Sequence, residues 1–68
     1  MNTEQLRDYA KRMYSEHFKP NQCEDEWYYE GDYWINIFHW EGSPATVNIY
    51  EGPDADHLEL IDDLILED

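Results

Sequence analysis

Residues 27–40, WYYEGDYWINIFHW, carry seven Trp, Tyr or Phe side chains in fourteen positions. Gly31-Asp32 lies between two β-rich runs, a good signal for a two-residue hairpin. Closing that turn with Glu30 opposite Tyr33 sets Tyr29 opposite Trp34 and Trp27 opposite Asn36. Side chains alternate along a strand, so Trp27, Tyr29, Trp34, Phe38 and Trp40 share one face. Tyr28, Tyr33, Ile35, Ile37 and His39 take the other.

Moving outward from the hairpin, residues 26–30 and 33–41 are its two strands, and Glu41-Gly42-Ser43-Pro44 turns the chain again. Residues 45–51 then form a third strand. A three-residue loop, Gly42-Ser43-Pro44, adds Ala45, Val47 and Ile49 to the aliphatic face, and Thr46, Asn48 and Tyr50 to the aromatic one. GPDAD, residues 52–56, breaks the chain once more. Beyond it Leu58, Ile61, Leu64 and Ile65 have helical spacing with Asp56 as an N-cap, which predicts a second helix. The competing reading of 58–67 is two short strands around Asp62-Asp63, because acids in a last helical turn oppose the dipole.

Toward the N-terminus, Leu6, Tyr9, Ala10, Met13, Tyr14 and His17 recur at spacings of three and four. That stripe predicts an amphipathic helix over about residues 3–18, capped by Asn2 or Thr3 and ended before Pro20. The expected fold is a small α+β domain of order α-β-β-β-α occupying residues 1–68. Its three-stranded antiparallel sheet carries both helices on the aliphatic face and leaves the aromatic face at least partly open.

The chain has 68 residues and a formal net charge of -13. So short a chain buries only about 60% of its unfolded surface. Arg7, Lys11, Arg12 and Lys19 are its only Lys or Arg residues, and positions 20–68 hold fourteen carboxylates with no Lys or Arg. Aromatic and β-branched residues argue against disorder. With Cys23 alone there is no intrachain disulfide, and its acidic neighbours disfavour a thiolate. No secretory signal or membrane-spanning run is present, so a cytoplasmic location is expected.

Reactive constellations are missing. His17, His39 and His57 are scattered, without an HxxxH or CxxC pairing that would suggest zinc. Asp54 and Asp56 hint at a calcium loop, but Leu58, Glu59 and Ile65 stand where that loop requires ligands and glycine. Ser15 and Ser43 lie in no nucleophile elbow, and no phosphate-binding glycine loop exists. The expectation is a non-enzymatic protein with no cofactor and no metal.

The expected element order is similar to that of the double-stranded RNA-binding domain. Such domains hold phosphate with basic residues near their second helix. This chain has Asp54, Asp56, Glu59, Asp62 and Asp63 there, which argues against direct nucleic-acid binding. Spaced carboxylates can instead imitate a phosphate backbone before rows of Lys and Arg. In size, acidity and lack of a catalytic signature the whole chain resembles small acidic phage-encoded inhibitors of host defence, the anti-CRISPR and DNA-mimic proteins. That resemblance implies blocking of a protein with a basic nucleic-acid-binding groove, in the host cytoplasm.

The residues expected to meet the partner fall into two sets. Glu24, Asp25, Glu26, Glu30, Asp32, Glu41 and Glu51 supply carboxylates around the sheet, and Asp54, Asp56, Glu59, Asp62 and Asp63 supply more in the C-terminal segment. Trp27, Tyr29, Trp34, Trp40 and Tyr50 supply a desolvated aromatic centre. Two plainer readings stand beside this one. The acids can simply keep a small domain soluble, and the aromatics can be half-buried sheet packing. A second functional class is a structural or regulatory module that forms a homodimer through its aromatic face.

Overall fold

A computed structural model of the chain describes residues 2–18, 24–40 and 42–66. Helix α1 spans Thr3–His17, and strands β1 (Glu24–Glu30), β2 (Tyr33–His39), β3 (Ala45–Glu51) and β4 (Glu59–Leu66) follow. The strands form one antiparallel sheet in the order β1-β2-β3-β4.

Asn2 starts the helix through a reciprocal capping box. Its Oδ1 accepts from the Gln5 amide at 2.8 Å, and Gln5 Oε1 accepts from the Asn2 amide at 2.9 Å. At the other end the Phe18 amide donates to the Tyr14 carbonyl at 3.0 Å. Most of the predicted stripe faces the sheet: Leu6 and Ala10 are buried and Tyr9, Met13 and Tyr14 pack half-buried against the core, while His17 at its end is exposed. Ile35, Ile37, Ala45, Val47 and Ile49 meet them from the sheet with no accessible surface. Burying each such aliphatic side chain contributes about 1.5–3 kcal/mol for the larger ones.

The β1–β2 hairpin has the predicted register, from Glu30 opposite Tyr33 to Trp27 opposite Asn36. Gly31 adopts the left-handed conformation (φ 62°) that the tight turn requires. The second connection differs from expectation. β2 ends at His39 and β3 starts at Ala45, so the loop runs from Trp40 to Pro44 and Phe38 lies opposite Thr46. The register slides by two residues, an even step, so every side chain keeps its predicted face. Glu41 lies outside the described residues.

The C-terminal segment is a strand, which corrects the α-β-β-β-α expectation. The sheet has four strands rather than three, and one helix rather than two covers it. Nor does the segment fold back on itself around Asp62-Asp63; one continuous strand runs through both residues. The misleading helical spacing has a local cause. Ile49 lies opposite Asp62 but Tyr50 lies opposite Leu60, so β4 carries a bulge at Ile61. That extra residue breaks the period-two pattern, and Ile61, Leu64 and Ile65 then fall at intervals of three and four. As a strand the segment pairs the outer edge of β3 and turns Leu64 and Leu66 toward the core. As a helix it would place Asp62 and Asp63 in the interior, where Asp is a poor helix former.

One charge pair ties this strand to the helix. Arg7 of α1 grips Asp62 with both ends of its fork, Nε to Oδ2 at 2.6 Å and Nη2 to Oδ1 at 2.9 Å. Hydrogen bonding to Arg7 holds the Asp62 carboxyl below its ordinary 3.8, and the same contact raises Arg7. A depressed carboxyl contributes stability that is present above its ordinary value and lost as pH falls through the lower folded value. Thermal unfolding of wild type and Asp62→Asn across pH is therefore expected to show a melting-temperature gap at neutral pH. The gap should close progressively as pH drops below about 4.

Candidate protein-docking face

Helix α1 covers the aliphatic face and leaves the aromatic face open. Trp27, Tyr29 and Trp40 are 50%, 60% and 57% exposed. Trp34 and Tyr50 are half-buried between their neighbours. The rings pack in pairs across the surface. Trp27 lies against Tyr50 with centroids 5.6 Å apart, and Tyr29 meets Trp34 edge-on at 5.1 Å. Phe38 meets Trp40 in the same way at 5.1 Å. These contacts fix the rings as a patterned surface, the geometry aromatic pairs prefer.

Two exposed aliphatic residues belong to this face and were missed in the sequence. Leu60 lies beside Tyr50 and Ile65 beside Thr46. Alternation about a β4 strand would have found Ile65, but the bulge at Ile61 hides Leu60 from any uniform period.

The β3–β4 loop curls over one end of the open face. Trp27, Trp34, Ala55 and Leu58 line a cleft of about 290 Å³ there. Trp34 Nε1 is buried, with no hydrogen-bond partner among the described residues. Gly52 makes this loop possible. Its amide donates to the Asp32 carbonyl at 2.9 Å, joining the loop to the β1–β2 turn, and a Cβ on it would collide with the His57 carbonyl. Asp54 organises the loop by accepting from the Asp56 amide at 2.9 Å, and its Oδ1 lies 2.7 Å from His57 Nδ1.

The expected carboxylates do not form one surface. Asp25 and Asp63 lie on the open face, opposite Phe38 and Asn48. Asp32, Asp54 and Asp56 fringe it from the turns at one end. Below them, Asp32, Glu51, Gly52, Pro53, His57 and Glu59 line an acidic cleft of about 410 Å³. Glu24, Glu26 and Glu30 alternate to the helix side with Tyr28, and Asp62 is taken up by Arg7. Burial first, then Glu26 and Glu24, raises the Tyr28 hydroxyl, while burial and then Glu51 raise Tyr33. Both phenols thus stay neutral beside the acids.

Among the described residues the open side carries no Lys or Arg. The three described ones, Arg7, Lys11 and Arg12, all sit on α1 across the sheet. Arg7 is paired with Asp62, and Arg12 lies over the Tyr9 ring at 5.4 Å. Among the described residues Asn36 is the one buried polar side chain beneath the aromatic surface. Its Nδ2 donates to Asp25 Oδ1 and, at 3.3 Å, to the Glu26 carbonyl.

No group of three or more His, Cys, Asp or Glu side chains among the described residues converges as a metal site would. Cys23 lies outside those residues. No described helix is long and apolar enough to cross a membrane. Compared with protein-family models, curated proteins and solved structures, the chain finds no match.

If the exposed rings serve docking rather than stability, their loss should cost the fold little. Trp27→Ala and Tyr29→Ala are expected to shift the unfolding free energy by less than about 1 kcal/mol each, within reach of ordinary surface substitutions. Gly52→Ala should cost more than either, because the loop backbone must move. Chemical denaturation of the three variants tests this ranking.

Proposed function

We propose that this protein is a non-enzymatic inhibitor that docks on a basic, nucleic-acid-binding surface of a partner protein. The aromatic sheet face forms the desolvated centre of the contact, and the carboxylates around it steer and align the partner. The observation carrying this reading is the sidedness of charge. Among the described residues the open face holds only carboxylates and apolar or neutral groups, and every described Lys and Arg lies behind the sheet. Rows of Lys and Arg that normally hold phosphate fit such a face, and charge complementarity gives rate and specificity. Binding there occludes the groove, in the manner of DNA-mimic and anti-CRISPR proteins. On this reading the protein acts in the cytoplasm, where such partners meet nucleic acid.

The structure alters the mimicry in one respect. Because Glu24, Glu26 and Glu30 point to the helix side and Asp62 is engaged, the face presents aromatic area fringed by a few acids rather than a phosphate-like row. Affinity capture of partners from a bacterial lysate, at low and high salt and with added DNA, tests the proposal. Captured protein is expected to be released by salt, displaced by DNA and lost with Trp27→Ala. Capture that is insensitive to both salt and DNA overturns it.

A second reading is favoured by Leu60 and Ile65, which extend the apolar surface to 51% and 65% exposed residues on β4. Two copies could cover this face mutually. Sedimentation across a range of protein concentration separates the readings: a dimer abolished by Trp34→Ala and Trp40→Ala supports self-association, and a persistent monomer supports docking on another protein.

A further inference from the structure

The open face ends in a small notch opposite the hairpin turn. Glu24, Asp25, Phe38 and Trp40 enclose about 120 Å³ there. Two of its walls are the edge-packed rings of Phe38 and Trp40, set 74° apart. Asp25, opposite Phe38 on the same face, brings a carboxylate to it. We propose that this notch receives the guanidinium of an arginine side chain from the docked protein.

The chemistry selects arginine over lysine. A guanidinium is planar, donates two parallel hydrogen bonds to one carboxylate and stacks on an aromatic face, whereas an ammonium is a compact, strongly hydrated point charge. A ring wall beside a carboxylate offers both contacts at once. Asn36 fixes the acceptor in place. It is buried beneath the face and donates to Oδ1 of Asp25, which holds one carboxylate oxygen in a fixed position and leaves Oδ2 as the acceptor. Glu24 borders the notch through its place at the start of β1, with its side chain on the helix side. No described cation of the chain competes for the position, since Arg7 holds Asp62 and the others lie across the sheet.

This assignment deepens the docking reading and rests on it for the source of the arginine. It can nevertheless be tested on the free protein. Two short peptides differing only in Arg or Lys at one position are titrated while the Trp40 indole resonance is followed by NMR. The Arg peptide is expected to shift that resonance and to bind roughly two- to fivefold more tightly than the Lys peptide, the margin of an exposed cation–π contact. Asp25→Asn should weaken the Arg peptide by about tenfold or more, the loss of a charged hydrogen-bond partner. Asp25 is exposed, and circular dichroism checks that the variant keeps its fold.

Equal binding of the two peptides overturns the notch, as does indifference to Asp25→Asn or a shift confined to Trp27. A dimer that already covers Trp40 in the free protein also overturns it. The two readings fail separately. If Trp40 is untouched while partner capture stays salt-sensitive, the notch falls and docking stands. If the Arg peptide binds at Trp40 but no partner is displaced by DNA, docking falls and the notch stands.

Discussion

One helix must cover a sheet of four strands, and it can cover only one side. Alternation then forces half of the sheet's side chains away from the core, whatever their chemistry. Ile35, Ile37, Val47 and Ile49 meet α1, so Trp27, Tyr29, Trp34 and Tyr50 must face outward. The rings are too large and too many for a second thin layer, and the chain described has no element left to cover them. Packing among themselves, edge-on in two pairs and tilted in Trp27–Tyr50, recovers part of their contact area, and the remainder stays exposed. The helix is in turn held over the far strand by Arg7 and Asp62, which couples β4 to the core.

An exposed apolar sheet invites edge-to-edge pairing, and the acids work against it. The free edge of β1 carries Glu24, Asp25, Glu26 and Glu30, and that of β4 carries Glu59, Asp62 and Asp63. The bulge at Ile61 twists the β4 edge further from a flat template. Part of the charge therefore guards the sheet edges, which explains why several strand carboxylates face away from the aromatic surface. That division separates two roles that composition alone merges: edge protection by Glu24, Glu26 and Glu30, and face decoration by Asp25 and Asp63.

The parts of the structure legible in the sequence were those with an unbroken period. The stripe from Leu6 to Tyr14 marked the helix, and Gly31-Asp32 with its flanking runs gave the hairpin register residue by residue. The faces of β3 survived an error in loop length, because a slip of two residues preserves parity. β4 was illegible for the converse reason. One extra residue at Ile61 converts a period of two into spacings of three and four, and Arg7, fifty-five positions away, supplies the contact that favours the strand. Tertiary pairing overrides local pattern in this segment. On the open face, Trp27, Tyr29 and Trp40 were readable from alternation. The register placed Asn36 opposite Trp27 on that face, and only the fold reveals it as a buried donor to Asp25.

Electrostatic range decides what kind of partner the face favours. Four strands spaced about 4.8 Å apart make a sheet roughly 15 Å wide, so its centre lies about 7 Å from either edge. The Debye length at physiological salt is about 8 Å. A charge brought to the middle of the aromatic surface therefore still feels carboxylates on both sides. Two copies of a chain with net charge -13 placed face to face would bring Asp25, Asp63 and the turn acids of each within that range of the other. Their repulsion opposes the apolar gain from covering Trp27, Tyr29, Leu60 and Ile65. A cationic partner covers the same area while replacing repulsion with attraction. The same apolar surface is thus more favourably closed by a basic protein than by a second copy, and salt weakens the first contact while strengthening the second.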